Sequence, residues 1–343
     1  MINRMKLDTS LQIAKPKNRA ENTRYIVHTL EDVNHGHKNQ AFAQPKKSKN
    51  DLHKRAKNSY FSKELARHLT VLDSPLNKAY RTTLFDCCST LMQEGKKITA
   101  NMYCGYRWCN VCNRIRTGKL LNGYLKPLEQ MKEPYFVTVT IPNVTGKELR
   151  HSLVGMVQTS ANITRVLKRL KMAVNGIRKI ECTYNVEQDT YHPHLHFIFD
   201  GEAVSKKFID EWLIRYPHAS SSGQDFKPVT NYGGGIKELF KYTTKIVTKT
   251  KATGDYNIYV PALDTIFRAM KGMRTFQNFG NIKRVNDEIN DLLADDYTDI
   301  EPYDFVVWQW ERNDWRNMAN GNMLTNYKPS KRMIELVTSN VVT

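Results

Sequence analysis

Long apolar runs are missing from this 343-residue chain. None approaches the ~18–20 residues that cross a bilayer, and the longest strand-like stretch, residues 135–141, is interrupted by threonines. The first twenty residues carry no apolar signal core, so a soluble, cytoplasmic protein is expected. Cysteine is scarce: six residues are too few for a disulfide scaffold, and three of them sit in one tight cluster, which in a reducing compartment reads as metal binding. The glycines at 233–235 are not followed by Gly-Lys-Ser/Thr, so ATP-driven chemistry has no support, and no internal repeat is evident. Acidic residues are also short. Thirty-four Asp and Glu against 52 Lys and Arg leave a formal charge of +18, which favours polyanionic partners, nucleic acid first and an anionic membrane second.

What is present suits a folded protein. Hydrophobic residues make up 40% and charged residues 25%, close to the globular average, and the length allows one or two domains. Residues 1–80 hold sixteen Lys and Arg against seven Asp and Glu. Their stretch 44–57 lacks periodicity, so 1–80 reads as a flexible basic arm with order beginning near Leu65. A cysteine-rich module is expected over 81–130. Alternating elements follow: a strand at 135–141, a helix at 149–170, strands at 177–185 and 194–199 joined by a polar turn, and helices at 205–215 and 236–249. This order predicts an α+β fold with a largely antiparallel sheet. Residues 286–304, with eight acidic residues and no basic ones, read as a solvated helix and loop. Trp308, Trp310 and Trp315 beyond them are expected to pack back on the core.

The densest chemistry lies in Tyr191-His192-Pro193-His194-Leu195-His196. Side chains two apart share a strand face, so His194 and His196 project together and can chelate a divalent ion. Glu181 is the best third ligand: a two-residue loop at Gln188-Asp189 would set it opposite His196 on the same face, with Glu187 as the fallback. Magnesium and manganese both suit such a site. On the following helix, Glu238, Tyr242, Lys245 and Lys249 form one stripe, and Leu239 faces inward. A tyrosine beside a carboxylate and ammoniums suits attack on a phosphodiester, with Tyr242 as nucleophile and Lys245 balancing charge.

Cys104, Cys109 and Cys112 have zinc-like spacing. Either Cys87 or Cys88 can complete a tetrahedral site, and Cys88 is taken as the fourth ligand. Arg107, Arg114, Arg116 and Lys119 crowd this segment with Tyr103, Tyr106 and Trp108, a combination suited to holding DNA against a zinc module. Cys182 reads as a core residue.

Together these segments resemble the HUH endonuclease superfamily, and within it the replication initiators of bacterial rolling-circle plasmids. CGYRWCNVC (104–112) resembles their cysteine motif, FVTVTIPNV (136–144) their first strand motif, ECTYN with YHPHLHFIF their metal-binding hairpin, and KELFKYTTK (237–245) their nucleophile motif. The likeness covers roughly residues 84–281. It implies a ferredoxin-like, split βαβ catalytic domain over 131–285 that nicks single-stranded origin DNA. Tyr242 would form a 5′-phosphotyrosine, His194 and His196 would bind the ion, and Glu238 would help water in the last cleavage. Host helicase and polymerase are implied partners. Asn110 and Thr243 stand where the family pattern usually has proline. A relaxase or single-tyrosine transposase would share the histidines and tyrosine but not the cysteine motif. A non-catalytic zinc-bearing DNA-binding regulator would share the charge but form no covalent adduct.

Overall fold

Helix α1, Lys49–Leu69, opens the described chain. The Ser48 backbone amide donates to the Asp51 carboxylate over 3.1 Å, which satisfies one of the donors a helix start leaves free. The helix corrects the expectation of an arm reaching to Leu65. Its hydrophobic residues are sparse, but Leu52, Ala56, Phe61, Leu65 and Leu69 are buried, and so are Asn58, Ser59, Ser62 and Lys63. Small polar side chains let neighbouring elements approach on several sides, so the helix has no clean apolar stripe to read.

The computed structural model describes residues 48–229, 239, 245–250, 254–285 and 294–343, with backbone alone at 294–296. All belong to the unit Lys46–Thr343. In chain order they form helix α2 (Asn77–Arg81), strands β1 (Thr90–Gly95) and β2 (Lys97–Ala100), helix α3 (Asn110–Glu129), strand β3 (Pro134–Thr140), helix α4 (Leu149–Arg169), the hairpin β4 (Gly176–Asn185) and β5 (Thr190–Asp200), and helix α5 (Glu202–Arg215). Then come β6 (Asp225–Pro228), β7 (Thr248–Lys249), β8 (Tyr256–Tyr259), helix α6 (Val260–Ala269), β9 (Phe276–Phe279), β10 (Ala294–Asp296), β11 (Tyr303–Glu311), β12 (Asp314–Asn317), helix α7 (Lys331–Thr338) and β13 (Val341–Val342). The result is the expected mixed α+β architecture. Among the described residues, no helix is long and apolar enough to cross a membrane.

The sheet that carries the histidines has the order β6-β3-β5-β4-β9, antiparallel throughout. One face is apolar. Val137, Val139, Ile180, Cys182, Leu195, Phe197 and Phe199 meet Leu149, Leu153, Met156, Ile163 and Leu167 of α4 and Phe208 and Trp212 of α5. Each such side chain contributes about 1.5–3 kcal/mol on burial. Cys182 is thus a core residue. On the opposite face, Phe136, Ile177 and Ile198 pack with Tyr124, Leu128 and Met131, from α3 and the turn after it, and with Leu239.

The hairpin register differs from expectation by two residues. Asn185 pairs with Thr190 across a four-residue loop, so Glu181 lies opposite His194 rather than His196. Asp189 takes a left-handed conformation (φ 48°) at the end of that loop. Because strand faces alternate with a period of two, a shift of two keeps Glu181 on the histidine face.

A second sheet, β10-β2-β1-β11-β12, joins strands from both ends of the described chain, across the sequence-based boundaries at 130 and 286. Strand β10 and the start of β11 fall within 286–304, the segment expected as a solvated helix and loop, and residues 286–293 of that segment lie outside the described residues. Val306 and Trp308 alternate inward from β11, and Trp315 is fully buried beside them. A third group, β7-β8-β13, corrects the C-terminal end of the helix expected over 236–249: Thr248 and Lys249 are extended and pair with Asn257 and Tyr256. The β-branched run Ile246-Val247-Thr248 suits a strand better than the last turn of a helix. Lys249 consequently does not continue a helical stripe. Glu238 and Tyr242 lie outside the described residues.

Candidate metal centres

Row by row, β3, β5 and β4 present Phe136, Ile198 and Ile177; then Thr138, His196 and Lys179; then Thr140, His194 and Glu181. His194 Nε2 lies 3.8 Å from Glu181 Oε1, and His196 Nε2 lies 3.4 Å from Oε2. The three ligating groups lie within 4.8 Å of one another, close enough to share one ion. Each imidazole is oriented through its other nitrogen. His194 Nδ1 meets the His192 carbonyl at 3.1 Å, which makes Nδ1 the protonated nitrogen and leaves the Nε2 lone pair free for the ion. His196 Nδ1 meets the Thr138 hydroxyl at 2.9 Å. Glu187 is exposed in the turn, away from this group.

The sequence did not single out Lys179. Its ammonium is 2.7 Å from Glu181 Oε2, and its side chain is 1% exposed. Burial opposes ionisation of Glu181, but the Lys179 ammonium, with His194 and His196 beside it, outweighs it and holds the carboxyl well below its ordinary value. Burial lowers His196, against the raising pull of Glu181. At neutral pH Glu181 is therefore ionised and His196 neutral, the forms that bind a cation. Strand parity with Glu181 was the available signal for Lys179. His192 flanks the group, its Nε2 3.2 Å from the Thr140 hydroxyl and its Nδ1 3.0 Å from Asn143 Oδ1. Burial lowers His192 to about 4.

The second cluster comprises Cys87, Cys104, Cys109 and Cys112. Cys87 Sγ is 3.7 Å from the sulfurs of both Cys109 and Cys112, and Cys104 Sγ is 3.6 Å from that of Cys112. Four sulfurs about 2.3 Å from a tetrahedral zinc would stand ~3.8 Å apart, whereas a disulfide needs ~2.05 Å. The spacing fits a tetrathiolate metal site. Amide donors support it: Cys104 N reaches Cys87 Sγ at 3.4 Å, and Gly105 N reaches Cys112 Sγ at 3.2 Å. Gly105 has φ +70°, which costs glycine little and lets the turn aim its N–H at the sulfur. Hydrogen bonds from Cys109, Cys112 and Cys87 drive the Cys104 thiol far down, while Cys87 and Cys112 are pushed up.

Cys87, not Cys88, is the fourth member of this cluster. Cys88 takes φ 53° as the chain turns into β1, and its carbonyl accepts from Trp315 Nε1 at 2.8 Å. Its thiol is buried, raised by burial and lowered by the charges of Arg55 and Lys63. Lys63 donates to Ser89 Oγ at 2.7 Å and to the Leu84 carbonyl at 2.9 Å. The α1 helix also starts α3, since Ser62 Oγ accepts the Asn110 amide at 2.8 Å. Trp108 is buried and stacks with Tyr106 in the core shared by α1 and α6, so it is packing rather than a DNA-facing group. Arg107 likewise turns inward, donating to the Met270 carbonyl at 2.6 Å and to that of Met273. Burial and Arg116 lower it to about 10. Lys245 is exposed.

The model of the replication protein family matches residues 95–331. Protein rep of Streptococcus pneumoniae serotype 2 is 26% identical over 227 residues, 58% of this chain and 70% of that protein. Protein rep of Staphylococcus aureus is 30% identical over 167 residues, 46% and 69%. Protein rep of Bacillus amyloliquefaciens is 26% identical over 295 residues, 71% and 84%. No solved structure matches. A family match over more than two thirds of the chain, spanning Cys104, Cys109 and Cys112 of the cysteine cluster and the whole histidine hairpin, places the protein in the replication protein family, the rolling-circle plasmid initiators that its motifs resemble.

Proposed function

We propose that the protein nicks single-stranded DNA at a plasmid origin with Tyr242 and rejoins strands at the end of a replication round. The observation that carries this reading is the Glu181, His194 and His196 group, with both Nε2 atoms turned toward one carboxylate. Further support comes from Leu239, three residues before Tyr242, which is buried with Phe136, Ile177 and Ile198 in the row next to His196. The connection β3-α4-β4-β5-α5-β6, with sheet order β6-β3-β5-β4, supports the ferredoxin-like reading of the domain.

Glu181, His194 and His196 would hold the catalytic divalent ion, magnesium or manganese, which when bound polarises phosphate oxygens. Tyr242 Oη attacks the scissile phosphorus and gives up its proton; the bond to the 3′ oxygen breaks, leaving a 3′-hydroxyl and a 5′-phosphotyrosine. Lys245 balances the charge that develops on the phosphoryl group. Glu238 takes a proton from the water that ends the last cleavage, because a single tyrosine cannot supply a second nucleophile. Cys87, Cys104, Cys109 and Cys112 would hold structural zinc. Host helicase and polymerase act after the nick, at the 3′ end it frees.

The test is a denaturing-gel assay with labelled single strands tiling the replicon, in manganese or EDTA. The wild type should give a metal-dependent shifted band, and Tyr242→Phe should give none while keeping DNA binding. Tight binding without a band on any tile would replace the nickase by a non-catalytic DNA-binding regulator. Glu238→Ala should leave the first band intact and slow strand release at termination; loss of the first band would move Glu238 to the metal or phosphate site.

A further inference from the structure

A cleft of about 370 Å³ opens beside the cysteine cluster, lined by Tyr103, Gly105, Cys112, Ile115, Arg116, Lys119, Leu120 and Arg284. Apart from the cluster cysteine Cys112, its charged lining is basic. Arg116 and Lys119, three apart on α3, share one helix face, and Arg284 reaches the same space from the segment after β9.

Arg284 is held in place. Its Nη2 donates to the Lys119 carbonyl at 3.2 Å, and the next amide, Val285 N, donates to the Gly123 carbonyl at 2.9 Å. Gly123 makes room for it: a Cβ there would stand 2.6 Å from Arg284 Nε and 2.7 Å from its Cγ. Arg116 is braced through Asn113 Oδ1 at 2.6 Å and the Gly105 carbonyl. Three cations facing one cleft repel each other in the free protein, and an anion entering the cleft relieves that cost. The volume suits a small unit of a larger ligand, and the walls of Ile115, Leu120 and Tyr103 supply apolar surface beside the charges.

Helix α3 sets the direction. It begins at the cysteine cluster, runs about 30 Å at 1.5 Å per residue, and ends where Leu128 packs with Phe136 and Ile198 on the histidine face. We propose that this cleft grips the backbone of the single DNA strand, one nucleotide in the cleft with its phosphates on Arg116, Lys119 and Arg284, as the strand passes along α3 toward the histidine face. This rests on the nicking reading for the identity of the strand, while the cleft is a separate binding site.

Fluorescence anisotropy of the full zinc-loaded chain tests it, with a labelled single strand across the nick site, titrated at several salt concentrations. Each phosphate contact on a single strand contributes about 0.7 to the slope of log affinity against log salt. Arg116→Ala with Arg284→Ala should weaken binding about tenfold or more and flatten the slope by about 1.4; Lys119→Gln alone should flatten it by about 0.7. Gly123→Ala keeps every charge yet displaces Arg284, and should weaken binding as Arg284→Ala does. Zinc content, unchanged in these variants, reports the fold. An unchanged slope in the double variant overturns the cleft, as does an equal loss on duplex and single strand. Absence of any adduct from the wild type overturns the nicking reading instead, whatever the slopes.

Discussion

Glu181→Gln should lower metal-dependent nicking by about 10²-fold or more and also destabilise the fold. Even an outer partner of a metal ligand costs 10–100-fold in affinity or activity when lost, so a direct ligand sets a larger effect. The stability loss comes from Lys179, whose side chain is 1% exposed and whose ammonium lies 2.7 Å from the carboxylate. Removing one partner of a buried pair leaves an uncompensated charge, at a cost of about 3 kcal/mol here, the low end of the usual range because Glu181 is 19% exposed. Thermal unfolding separates the two effects. Glu181→Gln combined with Lys179→Met should recover most of the stability and none of the activity. If the double variant regained nicking, Glu181 would be serving only to neutralise Lys179.

The cysteine cluster gives the second large effect, and adjacent residues should behave oppositely. Cys87→Ser should lose bound zinc by about 10²-fold or more in affinity, measured by competition with a chelator, whereas Cys88→Ser should retain it. The sulfur spacings of 3.6 to 3.7 Å involve Cys87, Cys104, Cys109 and Cys112. Metal removal should also loosen the second sheet. Cys87 and Cys88 share a core with Leu91, Trp308 and Trp315, and Trp315 is tied to the Cys88 carbonyl. Tryptophan fluorescence on chelation should therefore shift toward that of exposed indole. Zinc retained by Cys87→Ser and lost by Cys88→Ser would contradict the assignment.

Much of the histidine sheet was legible because strand parity is a local property. His194 and His196 had to share a face, and Glu181 joined them even though the loop was four residues rather than two, since an even slip preserves the face. Lys179 obeyed the same parity but escaped notice, because a lysine in a strand usually points to solvent and its burial follows from the sheet around it. The α1 helix was illegible for a different reason: it is buried on several sides by small polar residues such as Ser59 and Ser62, so no apolar period marks it. The choice between Cys87 and Cys88 depended on the left-handed turn at Cys88, and the strands near 294–311 on partners some 200 residues away. None of these is encoded in local spacing. Residues 1–47 of the arm expected over 1–80, and Glu238 and Tyr242 of the expected nucleophile stripe, lie outside the described residues.

Peptide mass spectrometry of the trapped covalent complex tests the central claim most directly. Wild-type protein is reacted with its single-stranded origin in manganese, the DNA is trimmed by nuclease, and the protein is digested with trypsin. The nickase account predicts a nucleotide mass on Tyr242 within the peptide Tyr242-Thr243-Thr244-Lys245, linked through a 5′ phosphate. A nucleotide on any other residue, or cleaved DNA with no protein-linked nucleotide at all, would contradict it.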